Sequence, residues 1–142
     1  SKGVEQLQIN CGIKLMQIKI TPEMVSQFCG MIGCENPIHF KSDTIKYGHP
    51  IAPGILVTAL ISHNSPAYSV LAKLNAKYKD AVYVGDTVDI KKTVIKEKLN
   101  VCTNQFDILV NGKVKQIIEM TFIKAKWGTK CNGGELLWRL IE

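Results

Sequence analysis

The sequence predicts an α+β domain in which an antiparallel β-sheet wraps around a central apolar α-helix. Three observations predict it. The first half holds a strand, then an amphipathic helix, then a run of Ile55, Leu56, Val57, Ala59, Leu60 and Ile61 that covers most of a helical circumference. A helix that is apolar nearly all round belongs inside other structure. The second half alternates apolar and polar side chains with the period of a strand. Asn111-Gly112 then supplies the two left-handed residues of a tight hairpin. Helices in the first half and strands gathered in the second give a sheet curled around one helix.

In chain order, Met16, Ile18 and Ile20 share one parity against Gln17 and Lys19, which marks a strand over Lys14 to Ile20. Thr21-Pro22-Glu23 starts a helix: a hydroxyl at the N-cap, proline where its missing N–H costs nothing, and an acid in the first turn. Val25, Phe28, Cys29 and Ile32 recur at helical spacing and form its buried face, and Gly33 stops it. Ser42-Asp43-Thr44 marks a short helical turn ending by Gly48, and Gly54 opens the central helix. Thr58 and Ser62 fall on the same stripe as Gly54, where they either line a cavity or bond to a carbonyl one turn back. Pro66 breaks this run, and residues 67–73 resume as a short helical segment. Strands follow over Thr87 to Lys91, over Cys102 to Val110 and around Ile118, Met120 and Phe122, with Gly85-Asp86 as the turn into the first.

The chain of 142 residues, 46% hydrophobic, is read as one domain with a sizeable core, residues 127–142 forming a C-terminal extension. It holds no apolar run long enough to cross a bilayer and no signal-peptide start, so a soluble, cytoplasmic protein without membrane contact is expected. Five cysteines at irregular spacing, with no CxxC pair, fit free thiols rather than a zinc site. No metal or other cofactor is expected. The formal charge of +6 comes from lysines scattered among acids, which gives a solvated basic surface rather than a nucleic-acid footprint. Such a surface also suits a phosphate-bearing thioester or an acidic carrier protein. The end Leu136 to Ile141, with Trp138 inside it, reads as a short amphipathic helix docking on the chain's own sheet or on a second copy.

The chemistry is concentrated in Cys34-Glu35-Asn36-Pro37-Ile38-His39 and in Ile51-Ala52-Pro53-Gly54. Pro37 fixes its own φ and pushes Asn36 out of the helical region, so His39 is carried on a rigid turn. The first amides of the helix that opens at Gly54 have no acceptor in their own helix and can receive a carbonyl or an oxyanion. A histidine facing a helix start is a minimal acid/base and oxyanion pair.

These stretches resemble the Asp-x-Asn-Pro-x-His motif and helix-start glycine of the MaoC-like branch of the hot-dog superfamily, the (R)-specific enoyl-CoA hydratases and 3-hydroxyacyl dehydratases. Tyr83-Val84-Gly85-Asp86 resembles that family's Gly-Asp turn, and the match spans residues 14–126 in element order. The resemblance implies a hot-dog fold, a homodimer, and an acyl-CoA or acyl-carrier-protein thioester bound along the central helix. It makes His39 the acid/base and Gly54 the oxyanion donor, and it puts Ser62 near the site; Thr58, on the same stripe, and Ile55 are expected beside it as substrate-binding residues.

Two positions depart from the motif. Cys34 stands where the family has its aspartate, and Pro53 where it often has a histidine. A thiol near its ordinary pKa is mostly neutral at pH 7 and a weak proton acceptor. Three readings follow. His39 and Gly54 still support hydration or dehydration, which is the leading one; Cys34 and His39 act as nucleophile and base in thioester hydrolysis or acyl transfer; or the chain binds acyl thioesters without turning them over.

Overall fold

The computed structural model describes residues 4–10, 13–41, 48–64 and 68–124. One six-stranded sheet dominates it, with every neighbouring pair antiparallel. Across the sheet the order is β1 (Val4–Asn10), β2 (Ile13–Lys19), β4 (Thr87–Lys98), β5 (Val101–Val110), β6 (Lys113–Lys124) and β3 (Ser69–Tyr78). Two helices complete it, α1 (Pro22–Ile32) and α2 (Gly54–Leu60), and a 3-10 turn over Ile61–Asn64 carries α2 onward.

Local rules account for most boundaries. The Thr21 hydroxyl accepts the Met24 N–H at 3.2 Å, and Gly33 closes α1 at φ 73°, a left-handed conformation that a side chain would oppose. Asn111 and Gly112 take φ 50° and 80° between β5 and β6, as the tight turn requires. Gly85 turns at φ 99°, and Tyr83 N–H is caught by the Asp86 carboxylate at 2.9 Å.

The parity read in the sequence sets the core. Met16, Ile18, Val88, Ile90, Phe106, Ile108, Ile118, Met120 and Phe122 all lie on one sheet face at 3% exposure or less. Against them pack Leu56 and Val57 of the central helix, Ile61 at the start of the 3-10 turn that follows it, and Val25 and Cys29 of α1. Full burial of an aliphatic side chain of this size contributes about 1.5–3 kcal/mol, so this face holds the sheet curved around α2. On the outer face, cross-strand pairs align with the register: Gln17 donates to Asp89 at 2.9 Å, and the Thr103 and Thr121 hydroxyls meet at 3.0 Å.

Several expectations need correction. Residues 67–73 do not resume a helix; β3 begins at Ser69 and pairs with β6 through Ser69↔Lys124 and onward. Ala, Leu and Lys there favour a helix locally, and the ladder with β6 overrides that preference. Strand β1 was not anticipated, and β4 runs on to Lys98 rather than stopping at Lys91. The central helix is not wrapped all round, because Ile55 (61% exposed) and Ala59 lie on an open side. On α1 the last residue of the predicted buried face, Ile32, is exposed. The turn predicted at Ser42 to Thr44, the tail from 127 to 142, and Cys11 and Cys131 lie outside the described residues. Among the described residues no helix is long and apolar enough to cross a membrane.

Candidate active site

His39 ends a 3-10 turn, Pro37–His39, that the sequence builds locally. Asn36 adopts the extended φ, ψ of −61°, 117°, and its side chain accepts the Ile38 N–H at 3.2 Å. The turn is then tied to a distant stretch: Ile51 donates its N–H to the Ile38 carbonyl at 3.0 Å, and the Ile51 carbonyl lies 2.7 Å from His39 Nδ1. A carbonyl oxygen only accepts, so Nδ1 carries the hydrogen and, in the neutral ring, Nε2 holds the lone pair. The imidazole is half-buried, which leaves it open to proton exchange.

The same stretch delivers Gly54. Ala52 donates to Val82 at 2.7 Å and Val84 to Pro50 at 3.0 Å, which moors Pro50 to Ala52 beside the 82–84 segment before α2 begins. Leu56 and Val57 both donate to the Pro53 carbonyl, while no acceptor for the Gly54 amide occurs among the described residues. A side chain at this position would force the half-exposed Tyr78 ring to move. A Cβ there would lie 2.9 Å from Cε1 and 3.1 Å from Cδ1 of Tyr78.

Behind Gly54 lies a polar cluster. Its carbonyl receives the Gln116 amide at 3.3 Å and lies 3.1 Å from the Thr58 hydroxyl. That hydroxyl also meets Tyr78 Oη at 2.8 Å and Gln116 Oε1 at 3.2 Å. Thr58 has a single proton for these acceptors, so Tyr78 donates to Thr58 and Thr58 donates onward. Gln116 is 2% exposed and Thr58 3%. In front of the cluster a cleft of about 470 Å³ opens, lined by Ile51, Gly54, Tyr78, Asp80, Val82 and Gln116 among others. His39 is not one of the lining residues; it is bonded to the carbonyl of Ile51, which is.

Cys34 faces α1. Its N–H donates to the Cys29 carbonyl at 2.9 Å, and its half-buried side chain packs on the core. Burial pushes the Cys29 thiol above its ordinary pKa, and the neighbouring Cys34 pushes the same way.

Of the residues singled out in the sequence, the structure ties His39 and Gly54 to opposite ends of the Ile51 to Pro53 segment. Thr58 is buried and bonded one turn back to Gly54, while Ile55 and Ser62 face outward and do not line the cleft. Tyr78 and Gln116 were missed. Gln116 shares the inward parity of Ile118, Met120 and Phe122, and a polar residue at that parity was the available signal.

No family model matches the chain, and no curated protein sequence matches it. Solved structures do. An (R)-hydratase from A. caviae involved in PHA biosynthesis superposes with a TM-score of 0.72 at 20% identity over 87% of this chain and 99% of that one. The R-hydratase PhaJ1 from Pseudomonas aeruginosa gives 0.73 at 19% identity over 83% and 82%. A hypothetical thioesterase solved with coenzyme A from Streptococcus pneumoniae gives 0.59 at 16% identity over 86% and 88%. The chain has the hot-dog fold, which hydratases and a thioesterase share among these structures.

Proposed function

We propose that this chain is a MaoC-like hydratase or dehydratase of the (R)-specific type, acting on enoyl or 3-hydroxyacyl thioesters of CoA or of an acyl carrier protein. The observation that carries the reading is the His39 to Ile51 contact. It leaves Nε2 as the basic nitrogen of a ring tied to the segment that leads to the Gly54 amide, for which the described residues offer no acceptor. In hydration, Nε2 takes a proton from water as the oxygen bonds to C3 of the enoyl thioester. The electron pair of the double bond moves toward the thioester oxygen, where the Gly54 amide holds the developing charge, and the proton held on Nε2 is then delivered to C2, which returns the ring to its neutral form. Dehydration is the reverse.

Cys34 has no part in this scheme as an acceptor; it fills the start of the loop. The Cys34 backbone is tied to Cys29 and its side chain packs on the core, which weighs against a Cys34 and His39 nucleophile pair. The working unit is a homodimer. Strand β3 is the last in the sheet, and Leu71, Leu74 and Tyr78 stand about half exposed along it, an apolar edge that a second copy would cover. Sedimentation should therefore give twice the chain mass.

The reaction is tested by incubating the wild-type chain with a trans-2-enoyl-CoA while following both the conjugated thioester absorbance and free thiol. The reading requires the absorbance to fall with no thiol released. Thiol release with the double bond intact would make the chain a hydrolase, and tight binding without either change would make it a binding module.

A further inference from the structure

The end of α1 brings together two thiols that the proposed reaction does not use. The carbonyl of Cys29 accepts both the Gly33 and the Cys34 amides, the pattern by which a left-handed glycine folds the chain back over the last helical turn. That fold places the side chain after the glycine against the one at the start of the last turn, a contact usually made by two apolar residues. Here both are cysteines, and both side chains pack on the same core cluster. Cys29 is 1% exposed, while Cys34 is only half-buried and opens the loop that leads to His39.

We propose that Cys29 and Cys34 are a reversible dithiol–disulfide pair, Cys34 reacting first with a small disulfide from solvent and Cys29 resolving it. Cys34 sulfur attacks the small disulfide, forms a mixed disulfide and expels one small thiol, which takes up the Cys34 proton. Cys29 sulfur then attacks Cys34 sulfur, closes the internal bond and expels the second small thiol with the Cys29 proton. Two protein thiols are oxidised and one small disulfide is reduced. Burial of Cys29 makes it the resolving rather than the attacking partner. The bond closes a short ring, which constrains the unfolded chain little, so a thiol reductant reopens it. Cys102 does not compete, since it is buried in β5 with its thiol on Asn104 Oδ1 at 3.4 Å.

The test reads one peptide. Trypsin releases residues 20–41 intact, because no lysine or arginine lies between Lys19 and Lys41, and both cysteines fall inside it. The folded full chain is treated with glutathione disulfide, quenched with acid, alkylated and digested. The expected peptide is two hydrogens lighter than the reduced form, takes up no alkylating agent, and regains both alkylation sites after dithiothreitol. In the Cys29→Ala variant it should stop with glutathione on Cys34. A wild-type peptide that ends as the glutathione adduct, or that stays fully alkylatable while free glutathione disulfide persists, overturns the proposal. The peptide mass is read without any turnover assay, so failure of the hydratase reading would leave this result standing.

Discussion

His39 and Gly54 flank the same short segment, Ile51 to Pro53, yet the chain holds them in opposite ways. The imidazole has one anchor, Nδ1 on the Ile51 carbonyl, and sits half-buried. The glycine is over-determined: side chains from α2 and β6 crowd its carbonyl, and the Tyr78 ring covers the space a side chain would need. The difference matches the proposed roles. A group that exchanges protons needs one nitrogen free, whereas an amide that stabilises charge works only if it is fixed before the charge appears.

That contrast can be broken at the rigid end first. Gly54→Ala keeps the amide N–H but drives a methyl into the Tyr78 ring, so it acts by displacing the donor and should lower turnover by about 100-fold, the usual loss for a misplacement on the order of 1 Å. Pairing it with Tyr78→Ala restores the space, and steady-state kinetics should then recover much of the rate. A double variant no better than Gly54→Ala would show that the tyrosine is not the obstacle.

Gln116→Leu tests the support behind the glycine. It removes the donor to the Gly54 carbonyl and an acceptor for Thr58 from a site 2% exposed, and should cost about 1–3 kcal/mol in urea unfolding. A midpoint equal to that of the wild type would mean the cluster is ornamental.

The smallest effect belongs to the rim of the cleft. Lys113 at 2.7 Å, then the Ala81 amide, then Lys115 hold the Asp80 carboxyl well below the usual carboxylate range. A depressed folded-state pKa gives stability that is fully present above the unfolded pKa, near 4, and is lost as pH falls through the lower folded value. Asp80→Asn should therefore lower the thermal midpoint slightly at pH 7, and the gap from wild type should close in acid below about pH 4. A gap that persists or widens in acid would contradict the assignment.

Most of what local chemistry determines was legible in the sequence. Thr21, Gly33, Gly85 and Asn111-Gly112 act within a few residues of themselves, and the inward parity of β5 and β6 needs only the pleat of a strand. The Asn36-Pro37 dipeptide likewise forecast the turn that carries His39. What stayed hidden depends on partners distant in sequence. Residues 69–73 are strand because β6 lies beside them, and the Gly54 cluster joins residues up to 62 positions apart. Thr58 shows the boundary well: its bond back to Gly54 is a local expectation, while its contacts with Tyr78 and Gln116 are not.

The most direct measurement is the hydration rate of a trans-2-enoyl-CoA by wild type and by His39→Ala, with thermal unfolding of both recorded alongside. Turnover is predicted to fall by about 100- to 10,000-fold while the melting curve barely moves, because the ring is half-buried and held by one bond. An alanine variant that hydrates as fast as wild type would contradict the assignment of His39 as the acid/base.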